Sequence, residues 1–114
     1  MIPNGPTPSY IKNHPLMKGV NVENGGIPSR APLMVTKTLL FSADGANLFN
    51  SVAGGGGKTF RAIDKKTGKV IYEIQLPASA TGIPMTYLAD GRQFIVVAIG
   101  DLGYPAELVA MVLP

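Results

Sequence analysis

The chain has 114 residues, 46% of them hydrophobic and 15% charged, with a formal net charge of +3. That is enough for one small domain with a modest core, and it excludes a solvated, disordered tail. The lack of cysteine excludes disulfides, thiolate metal sites and cysteine nucleophiles, while 14 Gly and 10 Pro argue for short strands and turns over long helices.

Residues 1–28 have little periodicity and carry Pro3, Pro6, Pro8, Pro15 and Pro28. They predict an irregular segment that lies along the sheet without building a core of its own. A short helical turn is expected near residues 10–13, with Pro15 ending it. The first ten residues have no basic start and no apolar stretch, so they do not read as a secretory signal.

From Leu33 onward the pattern is that of strands. Residues 33–35 and 39–42 are short apolar runs around a tight turn at 36–38. A long loop, 44–58, leads to a strand at 59–63. Asp64-Lys65-Lys66-Thr67-Gly68 predicts a type I turn closed by a left-handed Gly68. Residues 70–76 then alternate, with Val70, Tyr72, Ile74 and Leu76 on one face and Glu73 and Gln75 on the other, which predicts a half-buried strand. A second unit follows: a strand at 85–88, an Asp90-Gly91 hairpin, and a strand at 93–99 that is apolar on both faces and so should be fully covered. A Gly/Pro loop at 100–105 and a last apolar strand at 108–113 complete it. The longest uninterrupted apolar run, 94–99, falls far short of the roughly 20 residues a membrane helix needs. The fold class is all-β: a four-stranded antiparallel meander, then three strands of a second.

Connections in a meander alternate between the two ends of its sheet. The short turns at 36–38, 64–68 and 90–91 therefore share one end. The longer connections at 44–58, 77–84 and 100–105, with the approach at 25–32, share the other, where a functional site would be expected.

The motifs that invite a chemical reading are weak one by one. Gly54-Gly55-Gly56-Gly57-Lys58-Thr59 looks like a phosphate loop. However, Val52 stands where that pattern needs a Gly, and a strand follows where it needs a helix. His14, the single histidine, has no Ser-Asp or metal partner at a recognised spacing. The acids Glu23, Asp44, Asp64, Glu73, Asp90, Asp101 and Glu107 form no local acid–base pair. Asp64 and Asp90 read as turn residues, and only Asp44 and Asp101 fall at the long-loop end. The basic residues are scattered apart from Lys65, Lys66 and Lys69 in a turn, too few for a nucleic-acid face.

The informative stretch runs from Phe60-Arg61-Ala62-Ile63-Asp64 through Thr67-Gly68-Lys69 to Tyr72 and Leu76-Pro77. It resembles the repeat of the quinoprotein dehydrogenases, enzymes that use pyrroloquinoline quinone (PQQ). The family's docking aromatic is normally Trp; Tyr72 in its place weakens the contact by about 1 kcal/mol in area terms. Gly82-Ile83-Pro84-Met85-Thr86-Tyr87 and Gly91-Arg92-Gln93-Phe94-Ile95-Val96-Val97-Ala98 are similar to the last blade of glucose- and alcohol-oxidising members. Glu107-Leu108-Val109-Ala110-Met111-Val112-Leu113-Pro114 is similar to their chain terminus.

The resemblance implies an eight-bladed β-propeller with the quinone on its axis beside a Ca²⁺ ion, and an Asp as base in the oxidation of an alcohol or sugar. The catalytic Asp and the Ca²⁺ ligands of the family lie in earlier blades, and no motif here matches them. The histidine that some sugar-oxidising members carry after the last long strand is absent from Gly100-Asp101-Leu102-Gly103-Tyr104. No residue of this chain is therefore assigned to catalysis, cofactor or metal. The expectation is a leading segment at 1–28, a complete blade at 29–77 and a partial terminal blade at 78–114. They belong to a dehydrogenase periplasmic by resemblance, and this chain alone should be inactive and bind no cofactor. Its expected partners are the remaining blades or further copies of itself, with no nucleic acid and no membrane span. The alternative is a non-enzymatic propeller fragment acting as a scaffold or binding module.

Overall fold

A computed structural model describes residue 3 and residues 5–27, 29–46 and 56–112. Seven strands form two antiparallel sheets. The first contains β1 (Leu33–Val35), β2 (Leu39–Ala43), β3 (Thr59–Asp64) and β4 (Val70–Gln75), in that order. The second contains β5 (Met85–Ala89), β6 (Arg92–Asp101) and β7 (Tyr104–Val112). The central stretch of the 44–58 loop, and with it Gly54 and Gly55 of the phosphate-loop pattern, lies outside the described residues.

Turn chemistry fixes the register. The Asp64 carboxylate accepts hydrogen bonds from the Thr67 hydroxyl (2.5 Å) and the Thr67 amide (3.1 Å), and Gly68 has φ of +73°. The left-handed Gly68 lets its amide reach back to the Asp64 carbonyl at 2.8 Å. Asp90 and Gly91 both have positive φ (+50° and +72°), the conformation that joins two strands directly with matching twist. The Thr36 hydroxyl takes the Leu39 amide at 3.1 Å and closes the first hairpin. The Lys65 amide and ammonium group donate to carbonyls of that hairpin, so the 36–38 and 64–68 turns do share one end.

The core lies between the sheets. Phe41, Ala43, Phe60 and Ala62 of the first sheet meet Ile95, Val97 and Ile99 of the second, with Leu76, Ala78 and Ala80 closing one end. Phe41 and Phe60 stack with their ring centroids 5.9 Å apart. Full burial of Ile95, Val97 and Ile99 contributes about 1.5–3 kcal/mol each.

Several expectations change. The loop anticipated at 100–105 is a tight hairpin, because β6 continues through Asp101 and β7 starts at Tyr104. Asp101 pairs with Tyr104 and Ile99 with Glu107, so Pro105 and Ala106 together face Gly100 in a bulge. A bulge tolerates the missing proline N–H, and Gly100 leaves room for the close Ala106 backbone.

The clean alternation of β4 also breaks. Ala62 pairs with Tyr72 and Ile63 with Val70, which leaves Ile71 as an extra residue. Tyr72 therefore stays on the core-side face with Ile74 while Val70 moves to the other. Tyr72 remains 63% exposed and does not dock tightly on the following unit, contrary to expectation.

Finally, β6 and β7 are covered on one face only. Ile95, Val97 and Ile99 are buried, whereas Phe94, Val96 and Ala98 on the outer face are half-buried and Leu108 beside them is 75% exposed.

The leading segment has one short helix, α1 (Ser9–Lys12), and a 3-10 turn at Pro15–Met17. Pro15 starts that turn; α1 has already ended at Asn13. Backbone bonds from the Thr7 amide to the Glu23 carbonyl and from Gly26 to Gly5 close the segment on itself. It comes near the first sheet at Gly5, where a Cβ would lie 3.7 Å from Asp44 Oδ1.

Candidate functional site

The long-loop end holds the two carboxylates that loop position singled out. Asp44 follows β2 directly and is 4% exposed. Its Oδ1 accepts from Arg61 Nη1 at 2.5 Å and its Oδ2 from the Thr59 amide at 3.2 Å. Arg61, on β3, also donates through Nε to Glu73 of β4 at 2.9 Å. A guanidinium between two carboxylates thus ties the β2 exit, β3 and β4 together on the face pointing away from the second sheet. Gly57 packs so closely on Asp44 that a Cβ there would lie 2.4 Å from Oδ2.

Asp101, at the end of β6, accepts the Ser79 amide at 2.9 Å. Gly100 and Thr81 complete this docking by donating to the carbonyls of Ser79 and Ala98, so the 77–84 connection continues the line of β5 along β6. Asp44 and Asp101 therefore act as clamps on separate sheets. They do not converge.

Among the described residues, no group of three or more His, Asp or Glu side chains could hold a metal ion. The carboxylates at this end already carry their own donors, so the described residues do not fit a Ca²⁺ site. His14, the other candidate, turns its Nδ1 to the Leu16 amide at 3.3 Å and caps the 3-10 turn. Tyr104, at the base of the last hairpin, has its phenol pKa raised by desolvation and then by the adjacent Glu107 carboxylate, which its hydroxyl contacts at 3.2 Å. In the opposite turn, the Thr67 hydroxyl holds the Asp64 carboxyl below the ordinary aspartate range.

The concave features lie elsewhere. A cleft of about 460 Å³ in the leading segment is lined by Thr7, Ile11, Asn21 and Glu23. A second, strongly apolar groove of about 300 Å³ opens between the sheets, with Ile71, Tyr72 and Ile74 of β4 facing Met111 and Val112 of β7 above Phe60. The second sheet also has a largely apolar outer face: Met85 and Tyr87 on β5, Phe94 and Val96 on β6, and Leu108 and Ala110 on β7. Tyr87 and Phe94 stack there at 5.2 Å, with the Arg92 guanidinium 5.9 Å from the Phe94 ring at the rim.

Sequence reasoning missed Arg61 as the centre of the clamp, because its partners Asp44 and Glu73 are 17 and 12 residues away. It also missed the bulged Ile71, for which no local signal exists.

Two consecutive antiparallel meanders, joined by the 77–84 connection and packed face to face across an apolar seam, define the class: neighbouring blades of a β-propeller. The chain belongs to the PQQ-dependent dehydrogenases. The family described as "PQQ: Glucose/ethanol/alcohol dehydrogenase, beta-propeller domain" matches residues 1–95. Similar proteins include subunit 1 of methanol dehydrogenase [cytochrome c] from Paracoccus denitrificans, 36% identical over 63 residues, which cover 48% of this chain and 10% of that protein. The glycerol dehydrogenase large subunit of Gluconobacter thailandicus is 41% identical over 59 residues, covering 44% of this chain and 8% of that protein. The quinoprotein glucose dehydrogenase of Gluconobacter oxydans (strain 621H) is 39% identical over 59 residues, 47% of this chain and 7% of that protein. No solved structure matches the chain. The chain thus spans a tenth or less of the length of these relatives. PQQ is the cofactor of the family's complete enzymes. Among the described residues no helix is long and apolar enough to cross a membrane.

Proposed function

We propose that this chain supplies two neighbouring blades, a complete one at 29–77 and a partial terminal one at 78–114, to a periplasmic quinoprotein dehydrogenase that oxidises an alcohol or sugar. Residues 1–28 lead into them. The observation that carries this reading is the family match over residues 1–95, which takes in the first sheet and the start of the second, joined to an apolar seam and an uncovered apolar face where further blades would stack. Its partners are the remaining blades or, in their absence, further copies of itself. PQQ and Ca²⁺ belong to the assembled enzyme, where the cofactor carries the redox chemistry and the protein positions it.

The test is a dye-reduction assay with alcohols and sugars in the presence of PQQ and Ca²⁺. The purified chain alone is expected to show no turnover. Co-expression with the missing blades, supplied from an adjacent reading frame or from a relative, is expected to restore it. Quinone-dependent turnover by a purified monomer of this chain would overturn the reading. A chain that binds partners but restores no turnover in any combination would point instead to a scaffold.

A further inference from the structure

The charge of the chain is concentrated at one end of its sheets. The short-turn end carries Lys37 in the first hairpin, Lys65, Lys66 and Lys69 at the 64–68 turn, and Arg92 after Asp90-Gly91, all of them exposed. The acids there are Asp90 and Asp64, and the Asp64 carboxylate is already taken by the Thr67 hydroxyl and amide. Five cations against two acids leave +3, which is the whole formal net charge of the chain, because the other five cations are matched by the other five acids. Lys65 Nζ donates to the carbonyls of Thr36 at 3.0 Å and Lys37 at 3.4 Å and so fastens two of the turns side by side. The ion pairs among the described residues join Lys12 to Glu23 and Arg61 to Asp44 and Glu73, and none draws on these five cations.

Apolar side chains stand at the same end. Val35 enters the first turn 61% exposed, Val70 leaves the second at 41%, and Leu88 precedes Asp90-Gly91 at 75%. We propose that the short-turn end is a docking surface for an anionic phospholipid bilayer. The lysines meet the headgroup phosphates, while Val35, Val70 and Leu88 reach the boundary with the acyl chains. Neighbouring sheets cover the faces of these two and leave their ends open, so the surface serves the chain alone and in a larger assembly.

The composition of the end favours lipid over an acidic protein. Four of its five cations are Lys, a strongly hydrated point charge on a flexible stem that follows a fluid, diffuse layer of negative charge. Protein interfaces are depleted of Lys and enriched in Arg, whose planar fork needs partners held in fixed places. Arg92 is the one such group here, and it lies 5.9 Å from the Phe94 ring.

The test is co-sedimentation of the full chain with vesicles of phosphatidylglycerol mixed into phosphatidylcholine, against vesicles of phosphatidylcholine alone. Binding is expected to the mixed vesicles only, and to fall as salt is raised. Lys66→Glu combined with Lys69→Glu, checked for native circular dichroism, is expected to weaken it about tenfold or more, since each lysine near an anionic surface is worth about fivefold. Lys18→Glu combined with Lys58→Glu makes the same change in net charge away from this end and is expected to leave most of the binding. The chain has no Trp, so Leu88→Trp supplies a single reporter whose emission is expected to shift to the blue on the mixed vesicles. The proposal is overturned by equal binding to both kinds of vesicle, by equal losses from the two double variants, or by unshifted emission on bound vesicles. Absent vesicle binding with retention on polyglutamate that needs Lys66 and Lys69 assigns the end to an acidic protein and equally overturns it. None of these readouts involves quinone or turnover, so failure here leaves the dehydrogenase reading standing, and the converse holds.

Discussion

The Asp44–Arg61–Glu73 clamp offers a graded test of how the first blade is held. Removing Asp44 by Asp44→Ala leaves the Arg61 guanidinium, whose side chain is 12% exposed, with only Glu73, and strips the Thr59 amide of its acceptor. Breaking a buried pair from one side costs about 3–5 kcal/mol, because an uncompensated charge stays behind. Glu73 still serves Arg61, which places the expected loss near the lower end, about 3 kcal/mol. Glu73→Ala removes a carboxylate that is half in solvent and should cost about 0.5 kcal/mol. Asp44→Asn should fall between them, since the amide oxygen can keep the Thr59 bond. For a chain of this size a 3 kcal/mol loss lowers the unfolding midpoint by about 10 °C or more. Urea and thermal unfolding followed by circular dichroism would rank the three variants. A cost for Asp44→Ala no greater than that for Glu73→Ala would refute the assignment of Asp44 as the anchor.

Thr67→Val removes the hydroxyl that holds the Asp64 pKa below its ordinary value, so the carboxyl pKa should rise in a carbon-detected NMR titration. Because the folded pKa is the lower one, the turn's contribution to stability is full above the unfolded pKa and disappears as pH falls through the folded one. Thr67→Val should flatten that acid limb and leave neutral pH less affected. Gly45→Ala should destabilise more than Gly19→Ala: both positions have positive φ, but a Cβ at Gly45 would lie 2.3 Å from the Arg30 carbonyl oxygen, whereas Gly19 has open space. We expect about 1 kcal/mol at Gly19 from backbone strain alone and at least twice that at Gly45, measured by denaturant midpoint. Leu108→Lys, on the uncovered face of the second sheet, should reduce self-association in light scattering without lowering the unfolding midpoint.

What the sequence made legible were features with local causes. Asp64 to Gly68 and Asp90-Gly91 carry their turn geometry within five and two residues, and the structure places both turns where that chemistry requires. The strands at 33–35 and 59–63 likewise follow from short apolar runs bounded by turn residues. The failures share a different cause. A bulge reverses which residues face the core, yet Ile71 has the same neighbours in sequence whether it is paired or extra. Gly100 and Pro105 look like a loop by composition, although a bulge lets both sit within a hairpin. The Arg61 clamp spans three elements, so only the fold brings its members together.

The same distinction separates the faces of the two sheets. The first sheet turns Ser42, Arg61, Glu73 and Gln75 away from the core, and its charges satisfy one another there. The second turns Met85, Tyr87, Phe94, Val96, Leu108 and Ala110 outward, with no charge among them. A sequence in which β6 and β7 are apolar on both faces implies cover on both, but only the packing of Ile95, Val97 and Ile99 against Phe41 and Phe60 identifies which face this chain covers itself. The remaining apolar residues lie on the outer face and around the groove between the sheets. The outer face and the groove between the sheets are two separate apolar surfaces, on opposite sides of the second sheet. Leu108→Lys should weaken self-association through the outer face, while Tyr72→Asp, at the groove between the sheets, should leave it unchanged in light scattering. If Tyr72→Asp lowers self-association as much as Leu108→Lys does, the face and the groove form a single interface and their separation is wrong.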